Sequence, residues 1–417
     1  MLKKSITLLL LMGFNASLLY SQNNTSSPYT RYGYGNLVDA GFGQSKAMGG
    51  LSFGLRSNQF VNPGNPASYT AIDSMTFRFE AGVAAKISTF SDDEANQSKF
   101  DANLEYLAMQ FPIKRWLGMS AGLLPYSFVG YDFYSKTTQP STIINTSLTS
   151  TYTYTGNGGI SQVYIGLGVT PIRNLSIGAN VGYNFGNIEH ESTVTFDSST
   201  YRSMNQSKQI DVSDFVWMLG AQYEKPLENQ KKLTVGVTFQ PKSKLSADAQ
   251  QVISSAGVDT VTIDNSNDFE TPLTFGLGFV YNFSDRLMAG LDYKRQNWSD
   301  VKYFGKKTLT DRNKIAAGVE FLPKSSSKKY LERVSYRLGA NFSNSYVKVN
   351  DETVNEYSIT AGFGLPLKRG LNPTIMNLVF EYGNIGTTTN NLIQERYFKF
   401  TLNATINEKW FMKRKFE

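Results

Sequence analysis

The single histidine of the chain, His190, stands in "NIEHES" between Glu189 and Glu191. A serine hydrolase would need this ring as its base, held by an orienting group and within reach of a nucleophilic hydroxyl. Between two glutamates and close to a loop, His190 instead reads as a solvated loop residue. The run "DNSND" at 264–268, with Glu270, alternates oxygen ligands in the way a calcium loop does. It lacks the glycine turn and the rest of that pattern. "GFGQSKAMGG" carries a lone GxG with no strand before it, which is no nucleotide loop. "SDDEAN" reads as a solvated loop. No nucleophile–base pair and no metal cluster stands out, so the sequence predicts no catalytic residue, no metal site, no cofactor and no enzyme. The chain has no Cys, which excludes disulfides, thiolate metal sites and an N-terminal lipid anchor.

The elements that would carry any function are strands. The charged fraction is low at 18%, and 24 Tyr and 28 Phe accompany frequent Gly. That mixture suits strands and tight turns. Lys3 and Lys4 precede an apolar run from Ile6 to Leu19, and Ser21 offers a small residue at the cut, so residues 1–21 read as a signal peptide. No later apolar stretch is long enough for a spanning helix. Without Lys3 and Lys4 the net charge falls from +7 to +5. No basic stripe interleaved with aromatics accompanies it, and an exported chain meets no genome, so nucleic acid is not an expected partner.

Strict alternation dominates the rest. In "TIMNLVFEYG", Met376, Leu378, Phe380 and Tyr382 share one face while Asn377, Val379, Glu381 and Gly383 share the other. Such a period of two marks a half-buried strand. It recurs over about fourteen segments: 75–88, 101–112, 116–134, 158–172, 174–190, 208–225, 231–246, 271–283, 286–299, 312–323, 333–348, 354–367, 374–385 and 395–408. Short turns such as "PIKR", "PIRN" and "FSDR" alternate with longer connections such as 135–157 and 247–270. No amphipathic helix is present to cover so many apolar strand faces. Lipid covers them instead, and the fold class is an all-β transmembrane barrel with short periplasmic turns.

Two further patterns agree. Trp116 and Trp410 fall at periplasmic strand ends, and Trp217 and Trp298 toward the outer ends, where aromatic girdles are expected. Lys114, Arg115, Arg173, Lys231, Lys232, Lys324, Lys328, Lys329, Lys368 and Arg369 cluster in the short turns, and Lys409, Lys413, Arg414 and Lys415 in the tail. Anionic headgroups attract such charge.

A barrel of this size leaves a lumen that wall side chains alone do not fill. Residues 22–73, rich in Gly, Ser and Asn, are the only substantial segment outside the strands, with one helical turn predicted at 45–51. They read as a plug inside the lumen, where water or protein can satisfy irregular backbone. The domain order is therefore signal peptide 1–21, hatch 22–73 and barrel 74–417. Arg78, Glu80 and Lys86 on the first strand point inward to face the hatch, and Glu224, Asp292, Lys294, Lys314, Glu320, Arg337, Glu381 and Lys399 also point inward. Inward glycines at 166, 168, 276, 278, 362 and 364 leave room for close backbone approach.

"AMGGLSFGLRSNQFVNPGNPASY", followed by a strand, resembles the N-terminal hatch of FadL-type outer-membrane proteins, the long-chain fatty acid transporter type. The Asn-Pro-Ala motif of that hatch falls on Asn65, Pro66 and Ala67. "SPYTRYGYG" and "WFMKRKF" look like the Bacteroidota version. The resemblance implies uptake of hydrophobic small molecules, fatty-acid-like or aromatic. They would pass beside the hatch and leave sideways through a kinked third strand. Gly118, Gly122, Pro125 and Gly130 lie on that strand. Pro125 would either break the wall there or merely end pairing near the outer rim. No hydrophobic helical hairpin of the kind that captures fatty acids is visible in the outer loops. The resemblance also admits a second role, as a non-transporting subunit of an envelope machine for barrel assembly or secretion. Expected partners are outer-membrane lipid and lipopolysaccharide, a hydrophobic ligand or detergent in the lumen, or envelope-complex proteins. A continuous apolar cavity from the loops to Pro125 would favour transport, and an occluded lumen would favour the subunit.

Overall fold

The computed structural model describes residues 25–409 apart from 93, 94, 142, 144, 145, 230, 256, 257, 265, 267 and 368–372. The signal segment, Lys368, Arg369 and the tail from Trp410 onward lie outside the described residues.

Fourteen antiparallel strands form the wall. They are β1 (Thr76–Ser91), β2 (Asn96–Lys114), β3 (Leu117–Ser141), β4 (Thr146–Ile172), β5 (Leu175–Phe196), β6 (Met204–Pro226) and β7 (Lys232–Gln240), followed by β8 (Thr274–Asn282), β9 (Leu287–Gln296), β10 (Arg312–Phe321), β11 (Ser335–Val349), β12 (Glu352–Pro366), β13 (Ile375–Ile385) and β14 (Gln394–Lys409). Each pairs with the next, and β14 pairs with β1 from Lys409↔Thr76 to Gln394↔Ser91, which closes the sheet. The period of two sorts the faces. On β4, Val163, Ile165 and Leu167 are exposed outward, while Tyr164 between them is buried inward. Val83 and Ile87 on β1 and Phe275 and Phe279 on β8 repeat the outward belt. Such a belt is stable against hydrocarbon and not against water. The short turns use residues that tolerate a left-handed backbone, Asn174 at φ 68° and Asn229 at φ 58°.

Two connections expected as loops are strands. Within 135–157, residues 135–141 and 146–157 are the outer ends of β3 and β4, paired from Ser135↔Tyr152 to Ser141↔Thr146. Within 247–270, Ala247–Ser255 and Val258–Asp264 form a hairpin that lies along the outer half of β6. Thr and Tyr alternate at 151–155 and Val, Ile and Thr recur at 258–263, and such β-branched and aromatic residues favour strand even without an apolar face. β3 has 25 residues and β4 has 27, far more than the roughly ten that span a membrane. The β3–β6 ends and the hairpin therefore stand above the bilayer as one sheet.

The hatch occupies the lumen. It holds a 3-10 turn (Pro28–Arg31), a two-residue strand (Asn36–Leu37), the short helix α1 (Gly43–Ala47) and a second 3-10 turn (Pro66–Ala71). The helical turn thus starts two residues before the segment expected at 45–51. Trp217 is exposed toward lipid, as expected of a girdle, but Trp298 is not. It is fully buried in an aromatic cluster under the outer loops.

Candidate functional site

The Asn-Pro-Ala motif holds the hatch to the wall. Pro66 sits at the first turn of Pro66–Ala71, where its missing N–H is not needed. Asn65 caps that turn by accepting from the Ala67 N–H at 3.1 Å. Its amide donates to the Phe53 carbonyl at 2.8 Å and faces the Ala221 and Val237 carbonyls of β6 and β7 at 3.2 and 3.4 Å. Asn62 works within the hatch, donating to Ser52 O at 2.6 Å and Leu55 O at 2.8 Å. Both asparagines are buried, so these carbonyls would otherwise have no water.

The wall receives the hatch with charges and glycines. Arg78 donates to Phe60 O at 3.1 Å and to Asn407 at 2.7 Å. Glu80 accepts the Val61 N–H at 2.9 Å. Lys86 pairs with Glu395 at 2.6 Å, and Ser27 of the hatch donates to the same carboxylate. Asp292 accepts the Ser52 and Phe53 N–H groups at 2.6 and 2.8 Å. At Gly236 a Cβ would lie 1.8 Å from Phe53 O, and at Gly178 it would lie 2.5 Å from the Pro66 carbonyl carbon. No side chain is tolerated at either place. Glu224 sits near the periplasmic rim, 3.7 Å from Lys232 and near enough to Arg56 of the hatch to act on its charge.

The third strand does leave its neighbour. β2 and β3 pair from Lys114↔Leu117 up to Leu107↔Leu123 and no further. Above that height β2 continues on β1 alone, with a bulge at Glu105 between Tyr106↔Gly82 and Leu104↔Val83. Pro125 has no N–H for a ladder, and the β3–β4 register shifts between Pro125 and Ser127. The hatch takes the freed edge of β3: Asn36 and Leu37 pair with Phe128 and Ser127, and the Val38 N–H donates to Tyr126 O at 2.9 Å. Of the four residues expected at an opening, Pro125 lies at the parting itself. Gly130 lies on the freed edge, bonded to Thr30 at 3.1 Å. Gly118 makes room for the Tyr69 carbonyl and Gly122 lies in the paired part.

Behind the parting lies a cavity of about 160 Å³ whose walls are charged. Glu105, turned inward by its bulge, meets Lys399 at 2.6 Å and also pairs with Lys46 of the hatch. Asp39 of the hatch meets Lys294 at 2.7 Å, Lys314 at 2.8 Å and Arg312 at 3.6 Å. A second cavity of about 120 Å³ lies beside Leu124, Pro125 and Tyr164, and shares Asp39, Arg312 and Lys314 with the first. Above both, the outer mouth is sealed. Tyr34 of the hatch, Phe269, Trp298 and Tyr346 are buried against Ile188, Ile210 and Val129. The Trp298 and Tyr346 ring centres are 4.6 Å apart. Tyr346 donates to Gly35 O at 2.6 Å and Tyr34 to Glu270 O at 3.0 Å, so the seal grips the hatch.

A sequence model of the BamG family matches residues 1–417. The chain belongs to the BamG family. Among solved structures, this BamG-family barrel is similar to a Pseudomonas aeruginosa FadL homologue, at 12% identity and TM-score 0.59, covering 90% of this chain and 100% of that one. It is similar to the toluene transporter TodX of P. putida at 15% identity and TM-score 0.60, with 90% and 100% covered. It is also similar to the toluene transporter TbuX of Ralstonia pickettii at 14% identity and TM-score 0.59, with 90% and 99% covered. At these identities the likeness is one of fold, a FadL-type barrel. Comparison with curated proteins finds no match.

His190 is not a solvated loop residue in this BamG-family barrel. It lies within β5, half-buried, with Nδ1 bonded to the Tyr131 hydroxyl at 2.7 Å. Burial, and then Lys208 and Arg31, hold its pKa down at about 4. Asp264 accepts from Ser266 at 2.9 Å, and among the described residues no three acidic or histidine side chains gather as metal ligands. Sequence reading missed Asp39 and Glu105, the two carboxylates that organise the luminal charges. Glu105 interrupts the alternation of β2, and that interruption was the only signal of its bulge.

Proposed function

We propose that this chain is the Bacteroidota form of a plugged FadL-type outer-membrane barrel, serving as a non-conducting subunit of an envelope assembly machine. The observation that carries the reading is the charged, hatch-filled space behind the β2–β3 parting, under a sealed outer mouth. A hydrophobic solute crossing there would displace water and hydrogen bonds from buried ion pairs and return nothing to them. The sheet that β3–β6 and the hairpin raise above the bilayer offers a rigid surface for protein partners. Membership of the BamG family, whose prefix is that of the barrel-assembly machinery, points the same way.

A second reading, uptake of a small hydrophobic molecule, is favoured by the parting at Pro125 and by the cavity of about 120 Å³ beside it. That volume is close to the roughly 150 Å³ of a cavity that takes one benzene ring. The toluene transporters among the fold neighbours agree with this reading.

Purification from native membranes in mild detergent separates the two. Stoichiometric protein partners, no apolar ligand and background conductance in planar bilayers support the subunit. A co-purified hydrophobic molecule without protein partners overturns it.

A further inference from the structure

A separate cavity of about 370 Å³ opens on the outer side, above the aromatic seal. It lies past the bilayer, where β3–β6 project. Tyr131, Gly156, His190 and Lys208 stand directly opposite one another on four neighbouring strands. Gly156 is the gap in that row. A Cβ there would lie 2.3 Å from the Tyr131 ring, so only glycine lets the ring cross to His190. The two rings are nearly parallel, at 22°. The imidazole Nε2 is buried and has no partner among the described residues.

Three cations line the cavity: Arg31, Lys208 and Lys348. None of them pairs with a carboxylate among the described residues. Arg31 lies over the Tyr154 ring at 3.7 Å and Lys208 over Phe304 at 5.5 Å. The one acid of the lining, Glu191, is exposed and accepts from Asn205 at 2.7 Å. Burial, with Arg31 and Lys306 nearby, holds Lys208 below its usual pKa. Cations crowded beside aromatic faces without a counter-charge form a site that an anion completes. The volume is that of a small-molecule pocket. The strands that carry Gly156, His190 and Lys208 are paired on both sides at this height, so an extended peptide finds no ladder to join among them. Aromatic faces instead seat the C–H face of a sugar ring.

We propose that this cavity binds an anionic saccharide, with its phosphate or carboxylate on Arg31, Lys208 and Lys348 and its ring against Tyr154 and Phe304. A glycolipid headgroup of the outer leaflet and a free sugar phosphate present the same chemistry. The site is independent of whether the lumen conducts.

The single histidine makes the test direct, because the intact barrel labelled with ¹³C-histidine gives one imidazole signal. Glucose 6-phosphate should shift that signal saturably and raise its titration midpoint, since the bound anion offsets the field of Arg31 and Lys208. Glucose should do neither. Lys208→Ala with Lys348→Ala, checked for folding by heat-modifiable gel migration, should weaken the response at least tenfold, roughly the loss of one charged hydrogen bond. In nanodiscs, a shift produced by diphosphorylated glycolipid identifies the lipid-borne source, and a shift produced by the soluble sugar alone identifies the free one. The proposal is overturned if glucose 6-phosphate leaves the wild-type signal unmoved. It is equally overturned if inorganic phosphate or an acidic peptide binds as tightly as the sugar phosphate.

Discussion

Replacing Asn65 tests the hatch–wall contact with a sign that cannot be guessed from size. Asn65→Ala removes the cap of Pro66–Ala71, at about 1 kcal/mol. It also removes the amide that donates to Phe53 O, at about 1 kcal/mol more. The Phe53 carbonyl keeps the Gln222 amide at 2.9 Å, so it is not orphaned. The hatch should loosen by about 2 kcal/mol, close to 30-fold in its opening equilibrium. Asn65→Asp keeps the cap but turns an oxygen toward three carbonyls, those of Phe53, Ala221 and Val237. It should therefore be worse than Asn65→Ala near neutral pH, by about 1–3 kcal/mol for an acceptor left without a donor. Its deficit should shrink as pH falls, because the protonated acid regains a donor. The assay is limited proteolysis of the hatch in folded barrels, with heat-modifiable migration as the barrel control. If Asn65→Asp protects the hatch better than Asn65→Ala at neutral pH, or if neither changes the cleavage rate, the assigned role of Asn65 is wrong.

Four other outcomes are expected. Glu105→Gln leaves Lys46 and Lys399 without their shared carboxylate and should lower stability by about 3–5 kcal/mol, read as an earlier heat-modification midpoint. Trp298→Ala removes a fully buried indole from the outer seal, costs about 3–5 kcal/mol, and should speed backbone hydrogen exchange at Tyr34 and Gly35, the hatch residues that the seal grips. His190 titrates lower in the fold than unfolded, so its contribution is intact above about pH 6.5 and is lost as pH falls toward about 4; hydrogen exchange around Tyr131 should rise over that window, and His190→Gln should flatten it. Deleting residues 22–73 should leave a folded barrel that leaks small solutes in planar bilayers, and background conductance in such a barrel would refute the plug.

The wall was legible because lipid and lumen demand opposite chemistry on alternate residues. Every one of the fourteen wall strands overlaps an expected segment. The strand ends above the bilayer were not legible in the same way. Water bathes both sides there, so Thr, Ser and Tyr can follow one another and the run resembles a loop, as in "TSLTSTYTYT" at 146–155. Trp298 was misplaced for a related reason, since an indole near an outer rim serves equally as a girdle or as a lid. At the site, Asn65, Arg78 and Glu80 were readable from position alone, and Pro125 marked a break whose kind only strand pairing decides. The pairings of Asp39 and Glu105 were hidden because their partners lie far along the chain, Lys294 and Lys399 among them.

The seam between β14 and β1 has a consequence for the order of events in folding. Asn403 of β14 donates to Tyr106 of β2 at 2.6 Å, and the Gly43 N–H at the start of α1 donates to the same hydroxyl at 2.8 Å. The last of the fourteen wall strands therefore closes over the hatch, which precedes the first of them. Contacts of such separation form slowly. A hatch that arrived after the seam would have to thread a completed ring. The nascent barrel must therefore hold the hatch in place, open-sided, until β14 exists, and the time spent waiting is the interval in which the chain is most exposed to misassembly.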